Sequence, residues 1–504
     1  MRKQLLVAVA AAALTATAVP AYATPAKPAV NWGPCPADVP APLQCASVEV
    51  PLDYRNPDGT KISIEISRLP SIDPAKRRGV LLFNPGGPGD PGLAFPFTWA
   101  RLGVPASVQA EYDLIGFDPR GIDHSSPVSC DLNPDQLAFA PKYAHNSEEV
   151  VQASAAAKQI AQQCAASASA PNLPYLTTAN TARDMDQIRV ALGEPKISYF
   201  GLSYGTYLGG VYASLFPDRT DRFVLDSVVG PTGVDITTAR RFAEGMQDRF
   251  PDFAKWAAAR SAIYGLGTTP AEVTANYFKL ADKLDQHPAW GVDGSTFRLG
   301  THSMTYQTLS FPVLAQAWQA LLADQAPPAG VFQPPATGPE QSQRATMLSV
   351  LCGDNAWPQS LSTYQRNVAE DLVTYPMIGG STANVWPCAH WPYQPIEPAV
   401  QFSSQGPSNL LLVQNTRDPA TPLSGALKTR EAFGDRARLV TVDQGGHGVG
   451  LPFLNSCGFG AITDYLVNGN RPATDKSCGV EATAALTPQQ QQAASELMEQ
   501  LRQH

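Results

Sequence analysis

Charged residues are scarce in this chain, and basic residues are the scarcer of the two signs. Only 16% of the 504 residues are charged, and 36 Lys and Arg stand against 44 Asp and Glu, which gives a formal net charge of −8. Proteins that bind nucleic acid need a basic surface to neutralise phosphates. The balance therefore argues against a nucleic-acid partner, and it says little about a small substrate.

Long hydrophobic runs are absent after the N-terminus, so no membrane span is expected there. The one apolar run, residues 5–19, follows Arg2 and Lys3 and is interrupted by Pro20. Residues 21–23 (AYA) have the pattern of a small-residue cleavage site, and the whole segment has the layout of a secretory signal peptide rather than of a membrane anchor. We therefore expect residues 1–23 to be removed after Ala23 and the mature protein to be soluble and secreted.

Metal-ligand spacings are also lacking, because the sequence contains no C-x-x-C pair and no clustered Cys and His. We expect neither a metal nor another cofactor. Eight cysteines in an exported chain instead predict four disulfides, and an oxidising compartment argues against a cysteine nucleophile. Eight cysteines allow about a hundred pairings, of which pairing along the chain is the simplest: Cys35–Cys45, Cys130–Cys164, Cys352–Cys388 and Cys457–Cys478.

What the chain does contain is an alternation of strand and helix patterns. Continuous apolar runs are typical of central parallel strands, and alternating polar and apolar residues are typical of half-buried ones. The combination predicts an α/β fold with a mostly parallel sheet. The predicted strands lie at 47–54, 62–69, 79–84, 112–118, 197–200, 222–226, 409–414 and 437–442, and the helices between them lie at 147–170, 182–192 and 206–213.

The strand pattern stops over residues 233–400, which are rich in helix formers, aromatics and prolines. We interpret this segment as a helical cap inserted into the sheet domain, with a separate C-terminal domain as the alternative. The predicted organisation is a signal peptide (1–23), the first part of an α/β core (24–232), the cap (233–400) and the C-terminal part of the core (401–504). Helices are predicted at 241–260, 270–286 and 311–324, and an amphipathic one at 487–503, capped by Thr487.

Residues 201–205 (GLSYG) form a G-x-S-x-G pattern between a predicted strand and a predicted helix. A serine on such a strand-to-helix turn is exposed at the helix N-terminus, and the small flanking residues avoid collisions with neighbouring elements. This is the nucleophile elbow of α/β-hydrolases. A glycine-rich turn without function is the alternative, but the strand before and the helix after favour Ser203 as a nucleophile.

A serine hydroxyl needs a base, which is usually a histidine oriented by a carboxylate. Among seven histidines, only His447 lies in a glycine-flanked turn after a C-terminal strand. Asp418 follows the strand at 409–414 and comes between Ser203 and His447, the order that this fold uses. Asp226, after an earlier strand, and Asp443, four residues before the histidine, are the competing acids.

The oxyanion of an acyl-transfer reaction needs two N–H donors. The backbone N–H of Tyr204, the residue after the nucleophile, is the first. The second is expected from the glycine-rich loop at 84–89 (NPGGPG), with Gly87 as the first choice and Gly86 as the second. A phosphate-binding loop is the rival interpretation, but the G-K-[ST] signature is missing.

Five motifs together resemble the secreted tripeptidyl aminopeptidases of actinobacteria, in the prolyl-iminopeptidase-like branch of the α/β-hydrolases. The tail around Cys457 and Cys478 is similar as well, so the resemblance covers most of the mature chain. Two segments depart from the family: Asp90-Pro91-Gly92 where Gly-Gly-Ser-Gly is usual, and residues 122–125 (IDHS). We therefore expect a different substrate preference. The shared motifs are 84–89 (NPGGPG), 116–121 (GFDPRG), 201–206 (GLSYGT), 417–422 (RDPATP) and 445–448 (GGHG).

The resemblance implies a serine exopeptidase that removes tripeptides or similar short peptides from a free N-terminus, without a cofactor. A substrate ammonium buried under the cap needs a carboxylate partner, and Glu244 and Asp354 are the candidates, each with an ordinary solvated acid as the alternative. A carboxylesterase or lipase-like enzyme with the same triad is the main competing function. A catalytically inactive binding protein is a second, which the complete Ser–Asp–His order disfavours. We expect a monomer, although the sequence leaves the oligomeric state open.

Overall fold

The computed structural model describes residues 30–332, 341–450, 454–481 and 487–492. The predicted signal peptide therefore lies outside the described residues, as does most of the predicted C-terminal helix. Within the described part of that helix, residues 488–492 are helical, and Thr487 Oγ1 accepts a hydrogen bond from the Gln490 N–H (3.3 Å). This contact is the N-cap interaction expected of a threonine at that position.

One twisted sheet organises the described chain, with the strand order β1-β2-β3-β5-β4-β6-β7-β8-β9-β10. The first three strands pair antiparallel, and β3 pairs antiparallel with β5; from β5 to β10 all neighbours are parallel. The strands are β1 (Gly33–Pro34), β2 (Gln44–Pro51), β3 (Lys61–Leu69), β4 (Gly79–Asn84), β5 (Tyr112–Phe117), β6 (Ile197–Leu202), β7 (Thr220–Asp226), β8 (Leu410–Arg417), β9 (Ala437–Gly445) and β10 (Lys476–Cys478).

The central strands are buried on both faces, as their continuous apolar runs predict. Every residue of β4, β5 and β6 is buried, because helices cover the two sides of the parallel part of the sheet. The α/β fold predicted from the sequence is therefore confirmed. The carboxyl ends of these strands meet at one edge, where ligand and catalytic sites form in open α/β sheets.

Helices fill the connections between strands. One of them, α5, begins four residues before its predicted start because Thr177 caps it: its Oγ1 accepts the Asn180 N–H (3.2 Å). The helices are α1 (Phe95–Arg101), α2 (Ala106–Glu111), α3 (Pro134–Leu137), α4 (Ser147–Ala166), α5 (Thr178–Ala191), α6 (Tyr204–Leu215), α7 (Ile236–Ala258), α8 (Ser261–Tyr264), α9 (Pro270–Gln286), α10 (Gly294–Met304), α11 (Phe311–Leu322), α12 (Gln341–Asp354), α13 (Leu361–Thr374), α14 (Gly379–Thr382), α15 (Leu423–Phe433) and α16 (Ser456–Asn468).

The helical insertion leaves the sheet after β7 and returns at β8, two strands that pair side by side (Phe223 with Leu410). The sheet thus continues across the insertion, which has its own apolar core around Phe250, Phe253 and Trp318. In the described residues between β7 and β8, the β structure amounts to an isolated bridge between Ala289 and Val292. The cap limits of 233 and 400 remain a prediction.

Four disulfides are present, and they join the cysteines that are neighbours along the chain. The longest closed loop belongs to Cys352–Cys388, whose two residues are 36 positions apart, and the shortest to Cys35–Cys45, 10 positions apart. The other two pairs are Cys130–Cys164 and Cys457–Cys478.

Candidate active site

Ser203 lies on the turn between β6 and α6 with φ +57° and ψ −126°. A non-glycine residue with a positive φ is strained, and such strain persists only where the surroundings hold it. The Ser203 N–H donates to the Asp226 carbonyl (3.0 Å). A Cβ on Gly205 would lie 2.6 Å from the Asn84 carbonyl oxygen, and one on Gly201 would collide with the Gly205 carbonyl. The turn therefore requires both glycines of the pattern.

His447 and Asp418 are paired in the interior, with 1% and 0% of their surfaces exposed. His447 Nδ1 lies 3.0 Å from both carboxylate oxygens of Asp418. Asp418 Oδ1 also accepts the N–H groups of Ala420 and Thr421 (both 2.9 Å). An acceptor at Nδ1 favours the tautomer with the proton on that nitrogen and leaves Nε2 free to act as a base.

The two competing acids have other partners. Asp226 accepts the N–H groups of Val449 and Gly450, two residues just after the histidine. Burial raises the pKa of Asp226 to about 6. Asp443 Oδ1 accepts a hydrogen bond from Arg417 Nη1 (2.6 Å). Of these three acids, Asp418 is therefore the one whose carboxylate contacts the His447 imidazole.

The glycine-rich loop after β4 lies directly against the nucleophile turn. Gly86 and Gly87 have φ values of +117° and +97°, and a Cβ on Gly86 would lie 3.0 Å from Ser203 Cβ and 3.4 Å from the Tyr204 nitrogen. The Gly86 N–H already donates to Asn84 Oδ1 (3.1 Å). Tyr204 is the first residue of α6, where backbone N–H groups have no partner within the helix. This geometry favours Tyr204 and Gly87 over Gly86 as oxyanion donors.

Asp90, the unusual acidic residue of this loop, is buried, with 1% of its surface exposed. A Cβ on Gly87 would lie 3.4 Å from Asp90 Cγ. The side chain therefore lies within the packing of the loop, and its effect on substrate preference would be exerted through the loop conformation.

Sequence reasoning missed a group of cap residues that hold the histidine turn. The Tyr306 carbonyl accepts the His447 N–H (2.8 Å), Gln307 Nε2 donates to the His447 carbonyl, and the Tyr306 ring packs edge-on against the imidazole. The two hydrogen bonds end on backbone atoms of His447, and all three contacts come from a segment about 140 residues away, so no local motif signals them.

His302, which had no distinguishing sequence context, adds a contact to the acid loop. Its Nε2 lies 2.9 Å from the carbonyl oxygen of Pro419, the residue after the acid. Burial lowers the pKa of His302 to about 4, so the ring is neutral near pH 7 and donates one N–H to that carbonyl.

The two acids predicted to bind a substrate ammonium lie in different surroundings. Asp354 ends α12 and accepts both the N–H (2.9 Å) and the Oγ1 hydroxyl of Thr178, which also bonds the Tyr204 hydroxyl. Burial raises the pKa of Asp354 to about 6. Glu244 is half-buried on α7, beside Gly245, which packs on the Pro419 carbonyl. Glu244 therefore belongs to the part of the helix that covers the acid loop.

Two further properties of the described residues concern metal binding and membrane spanning. They contain no group of three or more His, Cys, Asp and Glu side chains placed to hold a metal ion. None of their helices has the length and apolar character of a membrane span.

The comparisons with known proteins agree with this geometry. The family described as alpha/beta hydrolase fold matches residues 79–287, and the one described as TAP-like protein matches residues 375–478. The chain is 36% identical to a tripeptidyl aminopeptidase of Streptomyces coelicolor, over 92% of this chain and 88% of that one. It is 29% identical to the serine protease Hip1 of Mycobacterium tuberculosis (89% and 91% covered) and 30% identical to a carboxylesterase B of the same organism (86% and 86%).

Proposed function

The chain belongs to the family of the Streptomyces tripeptidyl aminopeptidases, within the α/β-hydrolases, and from that premise we propose a secreted serine exopeptidase that releases tripeptides or similar short peptides from free N-termini. The chain is a serine hydrolase of this family. The observation that carries the proposal is the buried His447–Asp418 pair, on loops at the same sheet edge as the Ser203 turn. Its proposed substrates are peptides.

The proposed reaction is acyl transfer. His447 Nε2 removes the proton of Ser203 Oγ as the oxygen attacks the scissile carbonyl, and Asp418 stabilises the imidazolium that forms. The Tyr204 and Gly87 N–H groups bind the oxyanion. The imidazolium then protonates the leaving amine, the C–N bond breaks, and an acyl-enzyme remains. A water molecule, deprotonated by the same histidine, hydrolyses the ester and restores Ser203.

The free N-terminus of the substrate requires a carboxylate in the cleft. Three extended residues span roughly 10 Å, so the partner must lie about that far from Ser203. Asp354 already accepts two hydrogen bonds from Thr178, which satisfies much of its capacity. We therefore propose Glu244, half-buried on the helix that covers the acid loop, as the first candidate and Asp354 as the second.

The proposed location is extracellular, with residues 1–23 removed as a signal peptide after Ala23. Four disulfides support this proposal, because disulfides persist in oxidising compartments. The working form is proposed to be a monomer. A gel-filtration mass near that of one chain, together with an N-terminal sequence beginning at Thr24, would support both proposals.

A carboxylesterase is the second candidate function, and the observation that favours it is the 30% identity to a relative with that name. Ester and peptide hydrolysis share the triad and the oxyanion donors, so the fold does not separate them. The difference lies in the cap, since a peptidase that requires a free amine needs a carboxylate there.

The deciding experiment compares three substrates: Ala-Ala-Pro-p-nitroanilide, its N-acetylated form and p-nitrophenyl acetate. We expect cleavage of the free-amine peptide, at least 10-fold weaker cleavage of the blocked one, and loss of both in Ser203→Ala. Ser214→Ala, at the far end of the same helix, is the matched control and should keep full activity. Cleavage of the acetate alone would favour the esterase, and activity that survives Ser203→Ala would reject the triad.

Glu244→Gln tests the amine site. It should raise the KM for the free-amine peptide about 10-fold and leave p-nitrophenyl acetate hydrolysis unchanged, because a single charge-assisted hydrogen bond contributes roughly 1.5–3 kcal/mol. The same result for Asp354→Asn, with Glu244→Gln unchanged, would transfer the role to the second candidate.

A further inference from the structure

We infer that Asp226 and Ser227 are positioning residues of this hydrolase: they fix the histidine turn, the nucleophile and the acid-bearing strand to one another at the end of β7. The inference rests on the proposed Ser203–His447–Asp418 triad. Both residues are buried, with 1% and 0% of their surfaces exposed.

The first set of contacts holds the turn that follows His447. The Gly448 N–H donates to Ser227 Oγ (2.7 Å), the Val449 N–H to both Asp226 oxygens (2.8 and 3.0 Å) and the Gly450 N–H to Asp226 Oδ2 (2.6 Å). Three successive backbone N–H groups thus have their acceptors on two adjacent side chains. Hydrogen bonds to a charged acceptor are about twice as strong as neutral ones, so this turn has little freedom.

The second set of contacts holds the other two triad segments through backbone atoms. The Asp226 carbonyl accepts the Ser203 N–H (3.0 Å), and the Ser227 N–H donates to the Val413 carbonyl (3.0 Å) of the strand that leads to Asp418. Ser227 has φ +57°, a left-handed conformation that costs energy in a residue other than glycine. In that conformation the Ser227 backbone N–H donates to β8, while the Ser227 side chain accepts a hydrogen bond from the turn that follows His447.

Asp226 also acts on His447 by its charge. Among the described residues, His447 and Asp418 are charged groups that act on Asp226, and the backbone N–H groups of Val449 and Gly450 donate to it. A nearby carboxylate stabilises the imidazolium form. Removing this charge should therefore weaken the stabilisation of the imidazolium, which a purely structural defect would not do.

The test uses purified full-length protein, a peptide p-nitroanilide and kcat and KM measured across pH 4–9. Asp226→Asn places an amide donor against a backbone N–H. We expect kcat to fall about 10- to 100-fold, since a misplacement near 1 Å can cost that much, with KM within about 2-fold. We expect the acid limb of the kcat/KM profile to move to lower pH.

Ser227→Ala removes one acceptor and no charge, so kcat should fall about 3- to 10-fold with an unmoved acid limb. Asp371→Asn, another buried aspartate that pairs with Arg240 in the cap, is the matched control and should leave both kcat and the acid limb in place. If Asp226→Asn fails to fold, Ser227→Ala decides: an unchanged kcat overturns the inference.

Asp418→Asn distinguishes failure of this inference from failure of the triad. Wild-type kcat and acid limb in Asp226→Asn, together with a loss of about 10⁴-fold in Asp418→Asn, would overturn the positioning role and leave the triad intact. A loss of that size in Asp226→Asn with a mild effect in Asp418→Asn would make Asp226 the triad acid and overturn both.

Discussion

Gly86 is where the glycine-rich loop meets the nucleophile. An added Cβ would lie 2.8 Å from the Leu202 carbonyl oxygen and 3.0 Å from Ser203 Cβ, at a φ of +117° that side chains rarely adopt. Because the Leu202 carbonyl is backbone, the loop itself must move. We expect Gly86→Ala to lower kcat at least 100-fold, measured on a peptide p-nitroanilide, since the loop proposed to supply an oxyanion donor would withdraw from the turn.

Gly460→Ala is the matched control, because no atom lies within 4 Å of a Cβ built at this helical position. It should keep wild-type activity and be slightly more stable, as alanine is the better helix former. Unchanged kcat in Gly86→Ala would mean that the loop does not take part in oxyanion binding.

The raised pKa of Asp354 predicts that the stability of the protein depends on pH. Its pKa is raised from 3.8 to about 6 by burial, so the folded state binds the proton more tightly than the unfolded state and the free energy of unfolding rises as pH falls from about 6 towards 4. Above pH 6 the ionised carboxylate lowers the free energy of unfolding by at most about 3 kcal/mol, because each pKa unit corresponds to about 1.4 kcal/mol. Asp354→Asn should therefore melt at a higher temperature than wild type at pH 8, with the gain shrinking by pH 5.

Asp53→Asn provides the contrast, because the Arg55 hydrogen bond lowers the pKa of Asp53 below its usual value. Its ionised form favours the fold, so this variant should gain nothing at pH 8. Equal melting temperatures for Asp354→Asn and wild type at both pH values would contradict the prediction.

Residues whose immediate neighbours in the sequence indicate a role could be proposed from the sequence. Ser203, Asp418 and His447 each follow a buried strand and stand in a short glycine- or proline-rich turn, so strand ends and chain order suffice to propose them. Gln307 and Ser227 were not predictable, because they act through hydrogen bonds to backbone atoms of distant segments. Ser227 follows a strand, but nothing in its neighbours indicates a left-handed conformation.

At the scale of elements, the helical insertion contacts the loops of the proposed site. Residues 302–307, at the end of α10 and in the connection to α11, contact the histidine turn and the acid loop. The Gln343 carbonyl oxygen of α12 would lie 2.7 Å from a Cβ on Gly89, and Gly245 of α7 packs on the Pro419 carbonyl. Three segments of the insertion thus contact three loops of the proposed site, so displacement of the cap should change kcat as well as substrate access.

Gln307→Ala tests this connection. Its Nε2 donates to the carbonyl of His447, which is buried, and an unsatisfied buried carbonyl costs roughly 1–3 kcal/mol. If the turn relaxes to satisfy it, the imidazole moves, and we expect kcat to fall about 10-fold on p-nitrophenyl acetate, a substrate too small to need the cap for binding.

Gln319→Ala is the control within the same insertion, since its amide donates to the Ile263 carbonyl on the exposed side of α11. It should keep wild-type kcat. A full kcat in Gln307→Ala, with only KM changed for longer peptides, would restrict the cap to substrate binding.

The elements themselves were predicted unevenly. Strands buried on both faces and long amphipathic helices have strong sequence patterns. For example, α9 (Pro270–Gln286) begins and ends at the predicted residues. The short strands β1 and β10 went unpredicted because two or three residues carry no period, and their pairing is decided by neighbours in the sheet. α12 was missed because ten of its fourteen residues are buried, which removes the polar face that marks a helix in sequence.

For the molecule as a whole, the disulfides should contribute unequally to stability. In the chain-entropy description, a crosslink stabilises by restricting the unfolded chain, and longer closed loops gain more. Cys352–Cys388 closes 36 residues and Cys35–Cys45 closes 10, which corresponds to about 3.8 and 2.7 kcal/mol. The longer loop also fixes the end of α12, the helix that contacts the glycine-rich loop and carries Asp354.

We therefore expect the double variant Cys352→Ser/Cys388→Ser to lose about 1 kcal/mol more stability than Cys35→Ser/Cys45→Ser, measured as midpoints of guanidinium unfolding followed by tryptophan fluorescence. Only the first pair should also lower kcat, because the Cys35–Cys45 bridge lies in a small cluster with Val39 and Leu43 near the antiparallel edge of the sheet. Equal kcat losses in both variants would show that activity follows global stability, and full activity without Cys352–Cys388 would mean that the packing of α12 on the loop is sufficient to hold the site.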